Sequence, residues 1–310
     1  MNSLIKTILD KYQVRKSYKD KSKFIELLTE YFNNNNIKYD IEEYNDFFKT
    51  RNIVVGDINE ADTVFTAHYD TCARMIFPNF ITPKNLFIYA IYSIILAFFL
   101  IFTALIVKFA LLIFTKSEII GNIGYFLTIL LDLYLMMFGF KNKHTVNDNT
   151  SGVVTLLNIM DKLSSEEINK SAFVFFDNEE IGLVGAFKFK NKHKDIIDNK
   201  VIINFDCVSD GDNMLFVTKE LTMHSDIYKK MQNIIERVKH KYNKGVLLEN
   251  SKNTFYPSDQ MVFKNAIGVA GLKKNKILGY YLDKIHTNKD IVFKKENIDL
   301  LTDIMVELKK

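Results

Sequence analysis

Histidines and carboxylates recur where apolar runs end in this chain. His68 and Asp70 close the run DTVFTAHYD, and Asp148 stands in NDNTSG. Glu179 and Glu180 follow SAFVFFDN, Asp206 ends VIINFD, and His286 comes late in the sequence. Each of these residue types can ligate a divalent cation or support a residue that does. Singly the signals are weak, because Glu-Glu pairs are common and a lone loop histidine is usually only solvated. In open α/β sheets, however, ligands collect beyond the carboxyl ends of the strands. Acids and histidines gathered there, in order along the chain, suit metal-assisted chemistry and proton transfer.

The elements that would position them alternate. KSKFIELLTEYF (21–32) has the apolar spacing of a helix, and the asparagines at 33–36 end it. Strand candidates follow at 37–44, 51–58 and 62–70. Asn149 or Thr150 can cap a helix that runs to about residue 163. SAFVFFDNEE reads as a buried strand running into a turn, with an amphipathic helix from Gly182. VIINFDCVSDGD repeats the pattern of an apolar strand ending in acids. Residues 227–242 read as a helix, 266–272 as a strand, and ENIDLLTDIMVELKK as the closing helix. Strands alternating with helices predict a sheet covered by helices on both faces.

The ordered set of short motifs resembles the M28 zinc aminopeptidases. It comprises His68-Tyr69-Asp70, Asn147 to Gly152 (N-D-N-x-S-G), Glu179 to Gly182 (E-E-x-G), Asn204 to Asp206 (N-x-D), Ser258-Asp259 and His286-Thr287. The resemblance covers about residues 20–75 and 141–310. It implies a mixed β-sheet sandwiched by helices, of the phosphorylase/hydrolase-like, zinc exopeptidase type, and a hydrolase that takes peptide substrates. It also implies two zinc ions per chain. Asp148 would bridge them, His68 and Asp206 would complete one, and Glu180 and His286 the other. Asp70 would accept the second ring N–H of His68 and fix its tautomer. Glu179 would be the general base that activates a metal-bridging water and later protonates the departing amine. Adjacent residues on a turn point different ways, so Glu180 can face metal while Glu179 faces water.

The chain departs from that pattern between Asp70 and Asp148. Residues 86–115 carry Lys108 as their only charge, and residues 119–140 carry only Asp132. About 20 helical residues cross a bilayer core, so each stretch is long enough to span, and neither shows a polar stripe. The expected organisation is a discontinuous zinc peptidase domain, 1–77 and 141–310, interrupted by a helical hairpin over 78–140. That hairpin would engage a lipid bilayer through residues 86–140 as a two-span membrane anchor. Basic residues favour the cytoplasmic side. Arg74, Lys84, Lys141 and Lys143 flank the catalytic side, whereas only Lys116 lies in the connection between spans, so the catalytic domain is expected to face the cytoplasm. With the turn centred near residue 120, Lys108 and Asp132 would sit at similar depth and could pair. A lid or dimer arm is the competing reading of the apolar pair.

Composition agrees with this. Apolar residues make up 48% of the 310 residues, enough for a sizeable core, and the net charge of +4 comes from scattered Lys and Arg, so no nucleic-acid partner is expected. The N-terminal residues contain no apolar run of the secretory kind. Cys72 and Cys207 cannot build a disulfide framework, and both fit a reducing compartment. Cys207 reads as a core thiol. His144 reads as part of the basic flank with Lys141 and Lys143, His193, His224 and His240 as solvated, Asp259 as a structural acid near the site, and Tyr280 and Tyr281 as pocket or core residues. Glutaminyl cyclase-like or carboxypeptidase chemistry on the same scaffold, and a non-catalytic membrane receptor, are the alternatives to an aminopeptidase.

Overall fold

The computed structural model describes residues 3–310. Its centre is a nine-stranded mixed sheet. The strands are β1 (Tyr39–Asn45), β2 (Lys49–Val55), β3 (Thr63–His68), β4 (Ser171–Phe176), β5 (Val201–Phe205), β6 (Asn213–Thr218), β7 (Gly245–Asn250), β8 (Ala266–Asn275) and β9 (Gly279–Tyr281). Their spatial order is β1-β2-β4-β3-β5-β8-β6-β7, with β9 paired to the end of β8. β4, β3, β5 and β8 run parallel, and β2 and β6 flank them antiparallel. β3, β4 and β5 are buried at every residue, which is why they read as unbroken apolar runs. β6 and β7 were not expected from the sequence. NMLFVT follows the acid-rich turn after β5 with little separation, and GVLLEN is only half buried, so its apolar run is short.

Helices cover both faces. Ser3–Lys11, Tyr18–Asn34, Ser151–Lys162, Asp226–Tyr242 and Lys295–Lys309 bury their apolar sides on one face, around Phe24, Leu28, Leu156 and Ile304. Val184–Lys192 and its neighbours cover the other, around Phe176, Phe189 and Phe263. The helix expected at 21–32 starts earlier. Ser17 and Asp20 form a reciprocal capping box that begins it at Tyr18.

The apolar pair forms two helices, Leu86–Thr115 and Glu118–Phe138, joined by a tight turn at Lys116 and Ser117. Asn85 caps the first by accepting from the Ile88 amide, and Ser117 caps the second by accepting from the Ile120 amide. At 1.5 Å per residue they extend about 45 Å and 32 Å. They pack against each other and project from the α/β body. Ala104 alone in the first helix, and Gly121 and Gly124 in the second, are buried. The glycines explain the close approach: a Cβ on Gly124 would fall 2.2 Å from Leu111 Cδ1. Both helices are long and apolar enough to cross a membrane.

The expected Lys108–Asp132 pair does not form. Asp132 accepts instead from Thr103 Oγ1 at 2.8 Å, and the Lys108 stem lies beside Gly121. The cause is register. The turn falls at 116–117, so Lys108 lies eight residues before it and Asp132 fifteen after it. That offset separates the two charges by about 10 Å along the helix axes.

Candidate metal centre

The carboxyl ends of β3, β4 and β5 converge with two loops to build the site. β3 ends on His68, and Asp206 follows the last residue of β5. Glu179 and Glu180 occupy the turn after β4. Asp148 lies in the irregular turn Val146–Thr150, just ahead of the helix Ser151–Lys162. His286 comes from the loop after β9 and holds a left-handed backbone, φ 64°. A non-glycine residue in that region is strained, and such strain collects at functional sites.

The motif residues that carry no chemistry explain how the turn is held. Asn147 Oδ1 accepts from the Ser209 and Asp210 amides at 2.7 and 2.9 Å. Asn149 Nδ2 donates to the Phe205 carbonyl at 2.9 Å, while its Oδ1 accepts from the Gly152 amide at 3.0 Å and so caps the helix. The Ser151 hydroxyl donates to the Asn147 carbonyl and accepts from the Val208 amide. Gly152 must lack a side chain, since a Cβ there would fall 2.3 Å from the Phe205 carbonyl oxygen. The N-x-D and S-D motifs meet as well: Asn204 Nδ2 donates to Ser258 Oγ at 2.9 Å and to Gln260 Oε1 at 3.1 Å.

The two oxygens of Asp148 face in different directions. Oδ1 lies 3.4 Å from His68 Nε2, and Oδ2 lies 3.2 Å from His286 Nε2. Asp206 Oδ1 is 3.6 Å from the same His68 nitrogen, and Glu180 Oε2 is 3.2 Å from the same His286 nitrogen. His68 Nε2, Asp206 Oδ1 and Glu180 Oε1 are buried without a hydrogen-bond partner. These separations are long for charge-assisted hydrogen bonds, which favour about 2.7–2.9 Å. Two donors about 2.0–2.1 Å from a shared tetrahedral ion stand about 3.3 Å apart. Spacing, burial and donor type therefore fit a pair of zinc-sized cations straddling Asp148. Groups able to hold a metal are Asp148, Glu180, His286 and Cys72 on one side, and His68, Asp206 and Glu179 on the other.

Electrostatics point the same way. Burial, reinforced by Asp259, Asp206 and Asp70 and opposed by His68, raises Glu179 well above the ordinary carboxylate range. Burial raises Glu180 likewise, with Asp148 and Glu179 adding to it. Burial would also raise Asp148, but the histidines on its two oxygens hold it well below that range. Asp259 is wholly buried with both oxygens unpartnered, and burial, with Asp206 and Asp70, pushes it up to about 8 against the pull of His68. Such a surplus of desolvated acid calls for cations.

Asp70 does more than expected. The His68 Nδ1 hydrogen bond is to its main-chain carbonyl, at 3.2 Å, with Oδ1 further off at 3.5 Å. The carboxylate is occupied elsewhere, accepting the amides of Glu179 and Glu180 at 3.0 and 3.2 Å. One residue thereby orients the histidine and the whole Glu-Glu turn.

Three contributors escaped the sequence reading. Asp290 accepts the Asn147 and Asp148 amides at 2.7 and 3.0 Å, a second carboxylate clamp opposite Asp70. Arg15, wholly buried, donates to the Tyr69 carbonyl and to Thr150 Oγ1, and burial lowers it to about 10 despite Asp70 and Asp148 nearby. Cys72, read only as a reduced thiol, sits among Asp148, Glu180 and His286. His-T-N-K-D (286–290) was the one available hint for Asp290. Of the histidines expected to be solvated, His224 and His240 are exposed, but His193 pairs with Glu42 at 2.7 Å and is half buried; His144, in the basic flank, is exposed.

The sequence profile of peptidase family M28 matches residues 136–308, more than half of the chain. This protein belongs to peptidase family M28. A vacuolar membrane protease of Candida glabrata is 30% identical over 147 residues, 47% of this chain, which spans only 15% of that relative's length. Solved structures share the fold at low identity. Porphyromonas gingivalis glutaminyl cyclase superposes with a TM-score of 0.60 at 12% identity, over 99% of this chain and 95% of that one. A Zn-dependent exopeptidase from Parabacteroides distasonis gives 0.57 at 13%, over 99% and 96%. The Legionella pneumophila LapA aminopeptidase gives 0.53 at 13%, over 99% and 69%. The mixed sheet flanked by helices is thus the zinc exopeptidase fold, as expected, with an apolar helical hairpin inserted.

Proposed function

We propose that this M28 family member is a membrane-anchored dizinc metallopeptidase, most simply an aminopeptidase. Its catalytic domain would be assembled from residues 1–77 and 141–310 around the inserted segment 78–140. The observation that carries the reading is the splayed Asp148 carboxylate, with one oxygen toward His68 and the other toward His286. His68 and Asp206 would hold one ion, Glu180 and His286 the other, and Asp148 both. Zinc bound there supplies Lewis acidity, polarising the scissile carbonyl and easing the deprotonation of water.

The remaining work falls to the protein. Glu179 accepts a proton from the attacking water and returns it to the departing amine. Its half-buried carboxyl, raised above the ordinary range by desolvation, suits a group that must both take and release a proton. Asp70 keeps that carboxylate in place through the Glu179 amide. The apolar hairpin would anchor the enzyme, and the excess of basic residues at its base over its tip supports a catalytic domain on the cytoplasmic side.

Digestion of a peptide library by the solubilised full chain, with metal content measured alongside, tests this. Two zincs per chain, chelator-sensitive release of N-terminal residues, and a fall of ~10²–10⁴-fold in Glu179→Gln with zinc retained are expected. Cyclisation of N-terminal glutamine in place of hydrolysis would move the protein to the cyclase reading. No bound metal would favour a receptor.

A further inference from the structure

The base of the apolar hairpin is ringed by side chains, at its junction with the catalytic body, that have no partner to cover them. Phe47, at the tip between β1 and β2, is 90% exposed, Ile76 is 83% exposed, and Phe140 is 77% exposed. They stand where the helices enter the body. Phe47 lies edge-on to Phe48, whose ring stacks on Phe138, the last residue of the second helix. Phe77, beside Ile76, meets Phe99 of the first helix edge to face at 5.0 Å. The Arg74 amide donates to the Phe140 carbonyl at 2.7 Å. Cations are interleaved with these apolar tips: exposed Lys49, Arg74 and Lys143, while Lys141 is paired with Asp20 at 2.6 Å. The single acid at the β1–β2 tip, Asp46, is paired with Lys188.

Apolar and aromatic side chains alternating with basic ones, level with the end of a membrane-length helix, have the chemistry of a phospholipid interface. An apolar ring of this size left in water is the kind of patch that marks an interaction surface. It is also joined to the metal centre. The Met75 amide donates to the His286 carbonyl at 2.8 Å. Lys16, which feels the Glu180 charge, donates to the Met137 carbonyl at 2.6 Å. A cavity of about 640 Å³, lined by Arg74, Phe77, Phe99, Asp132 and Asn288 among others, lies inside the ring.

We propose that Phe47, Ile76, Phe77 and Phe140 form a collar that seats the catalytic body directly on the phospholipid surface, so that the metal site works against the bilayer instead of at the end of a free tether. The proposal rests on the membrane reading of the hairpin, to which the collar is continuous, and commits to anionic phospholipid as the occupant because the interleaved side chains are cationic.

The chain contains no tryptophan, so single substitutions give clean reporters. The full chain would be reconstituted into phosphatidylcholine–phosphatidylglycerol vesicles with and without dibrominated acyl chains. Four variants are compared: Phe47→Trp and Phe140→Trp in the collar, Leu127→Trp in the second helix, and Leu221→Trp. Leu221 follows β6, whose carboxyl end lies at the edge of the sheet away from the metal site, and it is 59% exposed. The expected result is blue-shifted emission and bromine quenching for both collar reporters, less than for Leu127→Trp and several-fold more than for Leu221→Trp. A collar reporter that behaves like Leu221→Trp while Leu127→Trp is quenched overturns the collar and leaves the anchor standing. An unquenched Leu127→Trp removes the anchor, and the collar with it.

Discussion

The metal-site end of the sheet and the apolar hairpin are held by opposite means. Around Asp148 the backbone is clamped at every step: Asn147, Asn149, Ser151 and Asp290 each bond at least one main-chain group, and the charged atoms left over face each other across gaps of 3.2–3.6 Å. Along the hairpin almost no side chain is buried, and the principal polar contact between the helices is Thr103 to Asp132. The first region uses polar groups to fix its backbone and leaves charged atoms such as His68 Nε2 and Asp206 Oδ1 buried without a partner. The second exposes apolar surface along two helices long and apolar enough to cross a membrane.

The largest effect that would break this contrast is at Asp148. If Asp148 bridges two ions as proposed, Asp148→Ala should lose both metals and all hydrolysis, measured as zinc per chain after dialysis. One zinc retained at full affinity would mean that the carboxylate does not bridge.

A smaller effect is expected at Asp290, which touches no metal-facing atom and acts through the Asn147 and Asp148 amides. Asp290→Ala strands two buried donors at ~1–3 kcal/mol each, and loosened support of this kind typically costs ~10–100-fold in metal affinity. Competition against a zinc indicator reads it. Asp290→Asn, which keeps one acceptor oxygen, should recover part of the loss; equal damage from both changes would point to charge and not to the clamp.

The same contrast explains what could be read from the chain in advance. The hairpin was legible from composition, because nothing but lipid or a large core accommodates so long a run with one charge. That His68, Glu180 and Asp206 would gather at one end of the sheet was legible because the parallel strands β3, β4 and β5 are continuous apolar runs whose ends are plain. What stayed hidden depended on register or on distance in sequence. Asp290 lies 142 residues from the amide of Asp148 that it holds, and Arg15 lies 135 residues from Thr150. The Lys108–Asp132 expectation failed because the turn falls at Lys116, where a left-handed residue closes the first helix, and not at residue 120. β6 was missed because it follows an acid-rich turn with little separation, and β7 because a short, half-buried strand leaves little period to read.

On the hairpin side, Gly124 tests whether close helix contact matters. A Cβ there meets Leu111 at 2.2 Å. Gly124→Val should part the helices and cost ~1–3 kcal/mol, the usual range for overpacking. Resistance of the solubilised protein to SDS-induced unfolding measures it, while zinc content should not change. Loss of zinc in this variant would show that the two regions are coupled more tightly than their separate construction suggests.

The smallest expected effect lies at Thr103. Its hydroxyl lies 2.8 Å from both Asp132 Oδ2 and the Leu100 carbonyl of its own helix, and its single proton serves one of them at a time. Thr103→Val keeps the shape and removes the donor, and hydrogen bonds between helices in membranes average ~0.6 kcal/mol, with a maximum near 1.7. Asp132 also faces the cavity at the hairpin base, so water can replace the lost hydroxyl there and hold the cost near the lower figure. Thr103→Val and Asp132→Leu should each shift the SDS midpoint slightly, and the double variant should shift it by less than their sum, since both remove one bond. Additive shifts would show that Asp132 is anchored by something other than Thr103, and the hairpin would then be less sparsely bonded than its geometry shows.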